Sequence, residues 1–277
     1  MKKESLFTKG TDVSTDINFF YRQKCLDKMS GWLSPASHGI ISFLFDYQSK
    51  MNIVGNIGEI GVWEGKTASI ICNYCRDEES VFLIDPIISN NQETILRNID
   101  DLCRKLPKSL YLCNILSEKF LTIYNDSNLF NSFRFFHIDG CHTGSSVFSD
   151  MKLVDKLLSN NSVLVIDDFF NPGYPQITEA VYRYVFEYPY SFRIFFVGFN
   201  KAYLCRPGCY TMYYSHCINN LQQSMLNKKM AITIKKTSSI GDCYTLSAEE
   251  YKQEIDLNTG IQGPDWEPER MDYIETK

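Results

Sequence analysis

Residues 52–67 read NIVGNIGEIGVWEGKT, and this stretch decides the fold. Its first part, down to Gly61, is short, apolar and closed by glycine, as a strand is. The next run, KTASIICNYC (66–75), reads as a helix. Between them Glu59-Ile60-Gly61-Val62-Trp63-Glu64-Gly65 forms a glycine turn. In wound α/β sheets, ligands sit beyond the carboxyl ends of the strands. Gly61 lets the backbone bend sharply against a ligand, and Gly65 allows close packing where the helix begins. The unpaired N–H groups of that helix favour a negative group nearby.

Outward from this turn, strand and helix alternate. VFLID (81–85) is an apolar run closed by an acid, NQETILRNIDDLCRKL (91–106) an amphipathic helix, and SLYLCN (109–114) another strand. FRFFHID (133–139) and VLVIDD (163–168) are strands closed by acids, with the helix SSVFSDMKLVDKLL (145–158) between them. ITEAVYRYVFEY (177–188) is a helix, and FRIFFVGFNKAYLC (192–205) gives two strands across a Gly-Phe-Asn-Lys turn. Apolar strands alternating with helices predict a mostly parallel sheet covered on both faces, ending in an antiparallel hairpin. Upstream, Ser34-Pro35 is a helix start with Ser as cap, and ASHGIISFLFDYQSK (36–50) a largely buried helix. Downstream, CYTMYYSHCINNLQQSML (209–226) reads as a helix, and MAITIKK and GDCYTLS as two more strands, which could extend the sheet or form a contact in a homo-oligomer. The expected organisation is a helical lead or lid over 1–50, a ligand-binding core over 51–206, an extension packed on it over 207–257, and a polar tail over 258–277.

Composition narrows the classes. With 277 residues, 44% hydrophobic and 22% charged, the chain can bury a full core. A net charge of −5 offers no surface for nucleic acid or anionic membrane. The opening MKKESLFTKG has no apolar run behind its lysines, so no secretory signal is expected, and no stretch is apolar enough to span a bilayer. The ten cysteines sit mostly inside apolar segments, which reads as reduced thiols in a cytoplasmic protein. The Cys72-x-x-Cys75 pair has no second pair at zinc spacing.

The turn E-x-G-x-x-x-G resembles motif I of S-adenosylmethionine-dependent methyltransferases. It lacks the middle glycine of the dinucleotide fingerprint, where Trp63 stands, which argues against a dehydrogenase. Gly61-x-x-x-Gly65-Lys66-Thr67 also looks like a phosphate-binding loop, but is one residue short of it. A tight turn with no ligand is the plainer reading. Asp85 closes the second strand, where an acid can accept hydrogen bonds from both hydroxyls of a ribose; a loop acid before Pro86 is the alternative. The expected cofactor contacts are Glu59, Gly61, Val62, Trp63, Gly65, Lys66, Thr67 and Asp85.

Asp139, His142, Asp167 and Asp168 fall at neighbouring strand ends. Carboxylates sharing one cleft repel each other unless a proton or cation intervenes. An all-oxygen set suits a hard ion such as Mg²⁺, which would lower the pKa of a substrate hydroxyl. His142 is then the expected base, and Asp139, Asp167 and Asp168 the expected metal ligands. The plainer alternatives are helix caps for the acids and a stacking role for His142. His137, inside an apolar strand, reads as a satisfied core residue.

FRFFHIDGCHTGSSVFSDMKLVDKLL and SNNSVLVIDDFFNPGYPQITEAVYRY (133–184) resemble class I methyltransferases of the methyltransferase 24 group. That group shows F-F-x-[IV]-D-G-x-H-T, then V-[IVL]-[IL]-D-D-[YF]-F-N-P. GWLSPASHGIISFLFDYQSKMNIVGNIGEIGVWEGKT (31–67) and NKAYLCRP (200–207) are similar to its lead and last hairpin. The resemblance covers about residues 30–206. It implies a Rossmann-like α/β fold with a seven-stranded sheet, S-adenosylmethionine as cofactor, and metal-dependent O-methylation of a small hydroxylated substrate such as a sugar. It assigns Mg²⁺ to Asp139, Asp167 and Asp168, the base to His142, and, within CNILSEKF, the adenine side to Ser117. Ser159-Asn160-Asn161 replaces the usual glycine-rich turn. An iron-dependent hydroxylase and a binding protein without catalysis are the alternatives on this scaffold. Tyr174 is placed near the substrate mouth.

Overall fold

The computed structural model describes residues 16–103, 105–238 and 244–250. The expected polar tail and the first fifteen residues of the lead lie outside the described residues. In chain order the elements are α1 (Ile17–Leu26), α2 (Pro35–Lys50), β1 (Asn56–Ile60), α3 (Lys66–Asn73), β2 (Ser80–Ile84), α4 (Ile88–Cys103), β3 (Ser109–Cys113), α5 (Phe120–Ile123), β4 (Phe133–Ile138), α6 (Gly144–Leu157), β5 (Leu158–Asp167), α7 (Pro175–Glu187), β6 (Arg193–Gly198), β7 (Lys201–Cys205), α8 (Tyr210–Asn227), β8 (Ile232–Ser238) and β9 (Tyr244–Glu250).

One sheet runs in the order β3-β2-β1-β4-β5-β7-β6-β9-β8. The five strands from β3 to β5 are parallel, and β7 pairs antiparallel with both β5 and β6. The fold is thus the expected Rossmann-like α/β class, but the sheet has nine strands, not seven. Segments 232–238 and 244–250 account for the difference: β9 adds parallel to β6 and β8 antiparallel to β9, covering the edge that a seven-stranded sheet would expose. Between β1 and β4 the order steps to the other side of the first strand, and ligand crevices open at such a step.

Burial follows the alternation of faces. Ile57, Val81, Leu83 and Phe135 pack under α2, α3, α4 and α8, while Ile60, Ile84, Phe136 and Ile138 pack under α6 and α7. Strand β4 is buried along its whole length, as a central parallel strand covered on both sides must be. It carries a charge there. Arg134 is fully buried and forks onto Glu79, with Nε–Oε1 2.7 Å and Nη2–Oε2 2.8 Å, and donates to Gln48 Oε1 at 2.7 Å and the Tyr74 carbonyl at 2.8 Å. Burial pushes the Glu79 carboxyl up, but the Arg134 contacts outweigh it and hold the carboxyl below its ordinary range.

The caps match their sequence signals. Ser34 Oγ accepts from Ser37 N–H at 3.0 Å with Pro35 in the first turn of α2, and Thr143 Oγ1 accepts from Ser146 N–H at 3.3 Å at the start of α6. Among the described residues the cysteines are free thiols, with Cys72, Cys113, Cys205, Cys209 and Cys217 buried. Among them, too, no helix is long and apolar enough to cross a membrane.

His38 on α2 is fully buried, stacked on Phe19 at 4.4 Å, with Nδ1 2.8 Å from Gln23 Oε1. Burial, then Arg22 and Lys228, lower its pKa to about 3. The folded protein therefore keeps His38 neutral where the unfolded chain would take up a proton, between about pH 6.5 and 3. Stability from this residue is intact above pH 6.5 and is lost as pH falls. Between pH 7 and 5 the loss is about 1–2 kcal/mol. Urea unfolding of the native chain and of His38→Gln at both pH values checks this: the pH-dependent drop should shrink by that amount in the variant, and equal drops would remove His38 as its source.

Candidate functional site

The turn after β1 is built by steric exclusion. Gly61 has φ +84°, and a Cβ there would lie 1.8 Å from the Asp139 carbonyl oxygen. Only glycine lets the β1 and β4 loops touch in this way. Gly65, also at φ +84°, caps α3, and a Cβ on it would press 3.3 Å from Ile95 on α4. Trp63 stands where a third glycine would be and takes the glycine conformation, at φ +49°. It is held there by Asp85 Oδ2, which accepts from Trp63 N–H at 3.2 Å and Val62 N–H at 2.8 Å, and by Asn91 Nδ2 donating to its carbonyl. A bulky residue in this region is strained.

These loops enclose a cavity of about 380 Å³, within the range of small-molecule sites, about 300–1,000 Å³. Of the residues expected from sequence, Glu59, Gly61, Val62, Trp63, Lys66, Thr67, Asp85, Ser117, Asp139 and His142 line it. Gly65, Asp167 and Asp168 lie outside the lining. Residues that sequence reasoning missed also line it: Ser30 to Trp32 from the lead, Pro86 and Ile87 after β2, Glu118, Cys141, and Asp150 from α6.

The polar groups of the cavity suit an aminoacyl nucleoside such as S-adenosylmethionine. Glu59 Oε2 is buried and has no partner in the protein. Burial, then Asp139, raise that carboxyl well above its ordinary range, so a bound ammonium would meet a group in need of one. Asp85 Oδ1 accepts from Ile87 N–H at 2.9 Å, so backbone donors fill three of its roughly four acceptor sites. One site remains for a ribose hydroxyl, which restricts the two-hydroxyl grip expected from sequence. At the far end Ser117 Oγ donates to Asp150, whose burial pushes its carboxyl up to about 6. Lys66 Nζ donates to the carbonyls of Met29 at 3.2 Å and Gly31 at 3.0 Å, tying the lead to α3.

At the rim, His142 Nε2 lies 3.3 Å from Asp168 Oδ2 and 3.6 Å from Asp139 Oδ1, and its ring centroid is 4.3 Å from that of Tyr174. The hydrogen bond to Asp139 is the main cause of a raised His142 pKa. Burial pushes Asp139 up to about 7. Asp168 sits at φ +56°, with Oδ1 accepting from Asn200 Nδ2 at 2.6 Å and Asn171 Nδ2 at 2.7 Å. Phe199 and Asn200, the centre of the β6–β7 turn, both have positive φ, the mirror-image turn that suits strand twist.

The expected shell of Asp139, Asp167 and Asp168 is not assembled as one group. Asp167 turns inward: Oδ2 bonds the Lys201 ammonium, and Oδ1 accepts from Asp168 N–H at 2.8 Å. Lys201 is 2% exposed and faces Asp167 across the β5–β7 ladder. Burial would raise Asp167, but Lys201 outweighs it and holds the carboxyl low. The acids fall in two sets that share Asp139, His137–Asp139–Asp167 and Asp139–His142–Asp168, each close enough to hold a metal ion. His137 is also more than a satisfied core residue. Its Nδ1 lies 2.9 Å from Glu59 Oε1, but its buried Nε2 has no partner, 4.0 Å from Asp167 Oδ2. Burial, then Lys201, lower it to about 3, so it is neutral. Counting hairpin register back from the Gly-Phe-Asn-Lys turn is the signal by which Lys201 could have been found.

Residues 59–169 match the family described as Methyltransferase domain, methyltransferase 24. No curated protein matches the chain by sequence. Among solved structures, the O-methyltransferase NovP is 14% identical with a TM-score of 0.51, covering 62% of this chain and 80% of its own. An O-methyltransferase from Bacillus cereus, solved in complex with SAH, is 13% identical with a TM-score of 0.51, covering 71% and 94%. A Corynebacterium glutamicum protein is 11% identical with a TM-score of 0.51, covering 72% and 92%. At these identities the likeness is one of fold.

Two substitutions test the geometry. Gly61→Ala combines the carbonyl clash with backbone strain of about 1–3 kcal/mol, and should lower the melting temperature and abolish binding of S-adenosylhomocysteine. Lys66→Met should leave melting nearly unchanged while weakening that binding about tenfold, or about 1.4 kcal/mol. Calorimetric titration reads both, and unchanged affinity in Lys66→Met would free the lead from any part in the site.

Proposed function

Because residues 59–169 match the methyltransferase domain family, we propose that this chain is an S-adenosylmethionine-dependent O-methyltransferase acting on a small hydroxylated molecule, such as a sugar. The observation that carries the reading is His142, set between two carboxylates on the rim of the cavity that also holds Glu59 and Asp85. The oxygen acceptor is supported by the shared fold of solved O-methyltransferases. The exposed rings of Trp32 and Trp63 at the same cavity, and of Tyr174 against His142, offer apolar faces for a substrate ring.

Bound S-adenosylmethionine supplies a methyl group activated by its sulfonium. Glu59 would receive the amino group of its amino-acid part and Asp85 a ribose hydroxyl, while Val62, Trp63 and Thr67 would shape the wall beside them and Ser117 and Asp150 would face the base. Such contacts would hold the cofactor in place against the rim, and positioning of this kind removes much of the entropic part of a barrier. A substrate hydroxyl at the rim would give its proton to His142 Nε2 as its oxygen takes the methyl group. Asp139 and Asp168 then hold the imidazolium. The iron-hydroxylase alternative has less support, because such sites use two histidines and one carboxylate, and each acidic cluster here holds one histidine.

Loss of the base should cost about 10²–10⁴-fold in rate. His142→Ala should therefore lose kcat by that factor while keeping its affinity for S-adenosylhomocysteine. His142 must be neutral to accept a proton and its pKa is raised from 6.5, so kcat/KM should climb with pH on a limb centred above 6.5. The residual activity of the variant should lack that limb; a native chain that failed to bind S-adenosylhomocysteine would end the reading altogether.

A further inference from the structure

A family resemblance that implies Mg²⁺ at Asp167 meets an aspartate that is already paired with a cation. The Lys201 Nζ is bonded to Asp167 Oδ2 and is almost wholly buried. A buried ammonium must stay paired, since an isolated charge out of water costs several kcal/mol. The other Asp167 oxygen is taken by a backbone N–H. A divalent ion drawing on Asp167 would have to displace Lys201 or sit beside it, with two cations then sharing one carboxylate. The rim is a separate set: His142 Nε2 lies 3.6 and 3.3 Å from Asp139 and Asp168, close enough for the three to share a cation without Asp167, and Asp168 Oδ1 is held by two asparagine amides. The conformations that hold Asp168 and Asn200 in place, both with positive φ, make this arrangement part of the fold.

We propose that Lys201 takes the part of the divalent cation at Asp167 and so withdraws that carboxylate from any metal site. Lys201 is a positioning residue: its ammonium pairs with Asp167 Oδ2 and leaves the Asp139–His142–Asp168 set to act without it. Its catalytic consequence rests on the methyl-transfer reading; its effect on metal binding does not.

The test is titration of Mn²⁺ into the full chain, with and without S-adenosylhomocysteine, read by calorimetry and by the paramagnetic signal of the free ion. In the native chain Asp167→Asn should leave the Mn²⁺ affinity within about twofold of its value. Lys201→Met, which keeps the side-chain length and removes the charge, should bind Mn²⁺ at least about tenfold more tightly. Lys201→Arg should behave as the native chain. Lys201→Gln replaces Lys201→Met if that variant does not fold. Tight Mn²⁺ binding by the native chain that Asp167→Asn abolishes would overturn the proposal. So would equal affinity, or equal lack of it, in the native chain and the neutral variants. If S-adenosylhomocysteine does not bind the native chain, the methyl-transfer reading fails while the Mn²⁺ comparison still decides the role of Lys201.

Discussion

No side chain fits between Gly61 and the carbonyl of Asp139, and the rest of the site depends on that contact. It sets the end of β1 against the end of β4, so that Glu59 and His137, direct neighbours in the ladder, share a hydrogen bond beneath the cavity floor. It also leaves the Val62 and Trp63 N–H groups facing Asp85 on the next strand. One missing methyl group thereby fixes the positions of three acids on three strands. The strain of Trp63 is tolerable because Asp85 and Asn91 hold both its backbone groups.

Electrostatics then decides which acids face the cavity. Five ionisable side chains lie along the carboxyl ends of β1, β4 and β5 and the amino end of the antiparallel β7: Glu59, His137, Asp139, Asp167 and Lys201. Burial pushes Glu59 and His137 toward their neutral forms, while the neighbouring Lys201 holds the Asp167 carboxyl low. Asp139 lies between these regimes, at about 7. The gradient from an unreactive interior pair to a responsive rim comes from one lysine opposite one aspartate.

The fold was legible because its signals are local. Closed apolar runs, glycine at the first turn and a Ser-Pro helix start each describe a few consecutive residues, and each has a steric cause. The two extra strands were visible as segments, but the pairing of β9 to β6 was not, because partners as far apart in sequence as Phe196 and Leu246 leave no local trace. At the site, lining residues that flank the glycine turn were found from spacing. Asp150, Trp32 and Lys201 were not, since helix pitch, loop path and hairpin register bring them in. The division of the acids was illegible for a further reason: Asp167 and Asp168 are adjacent in sequence, and composition cannot tell which of them meets Lys201 and which meets His142.

The Lys66 tether has a consequence for how the molecule takes up ligands. One ammonium joins the lead to the helix that begins the cofactor turn, and Ser30 to Trp32 form a wall of the same cavity. A ligand touching both surfaces strengthens the seating of the lead, and a seated lead strengthens the ligand by the same factor. Whatever fills the cavity would therefore meet two pieces of chain that one lysine joins across 35 residues of sequence.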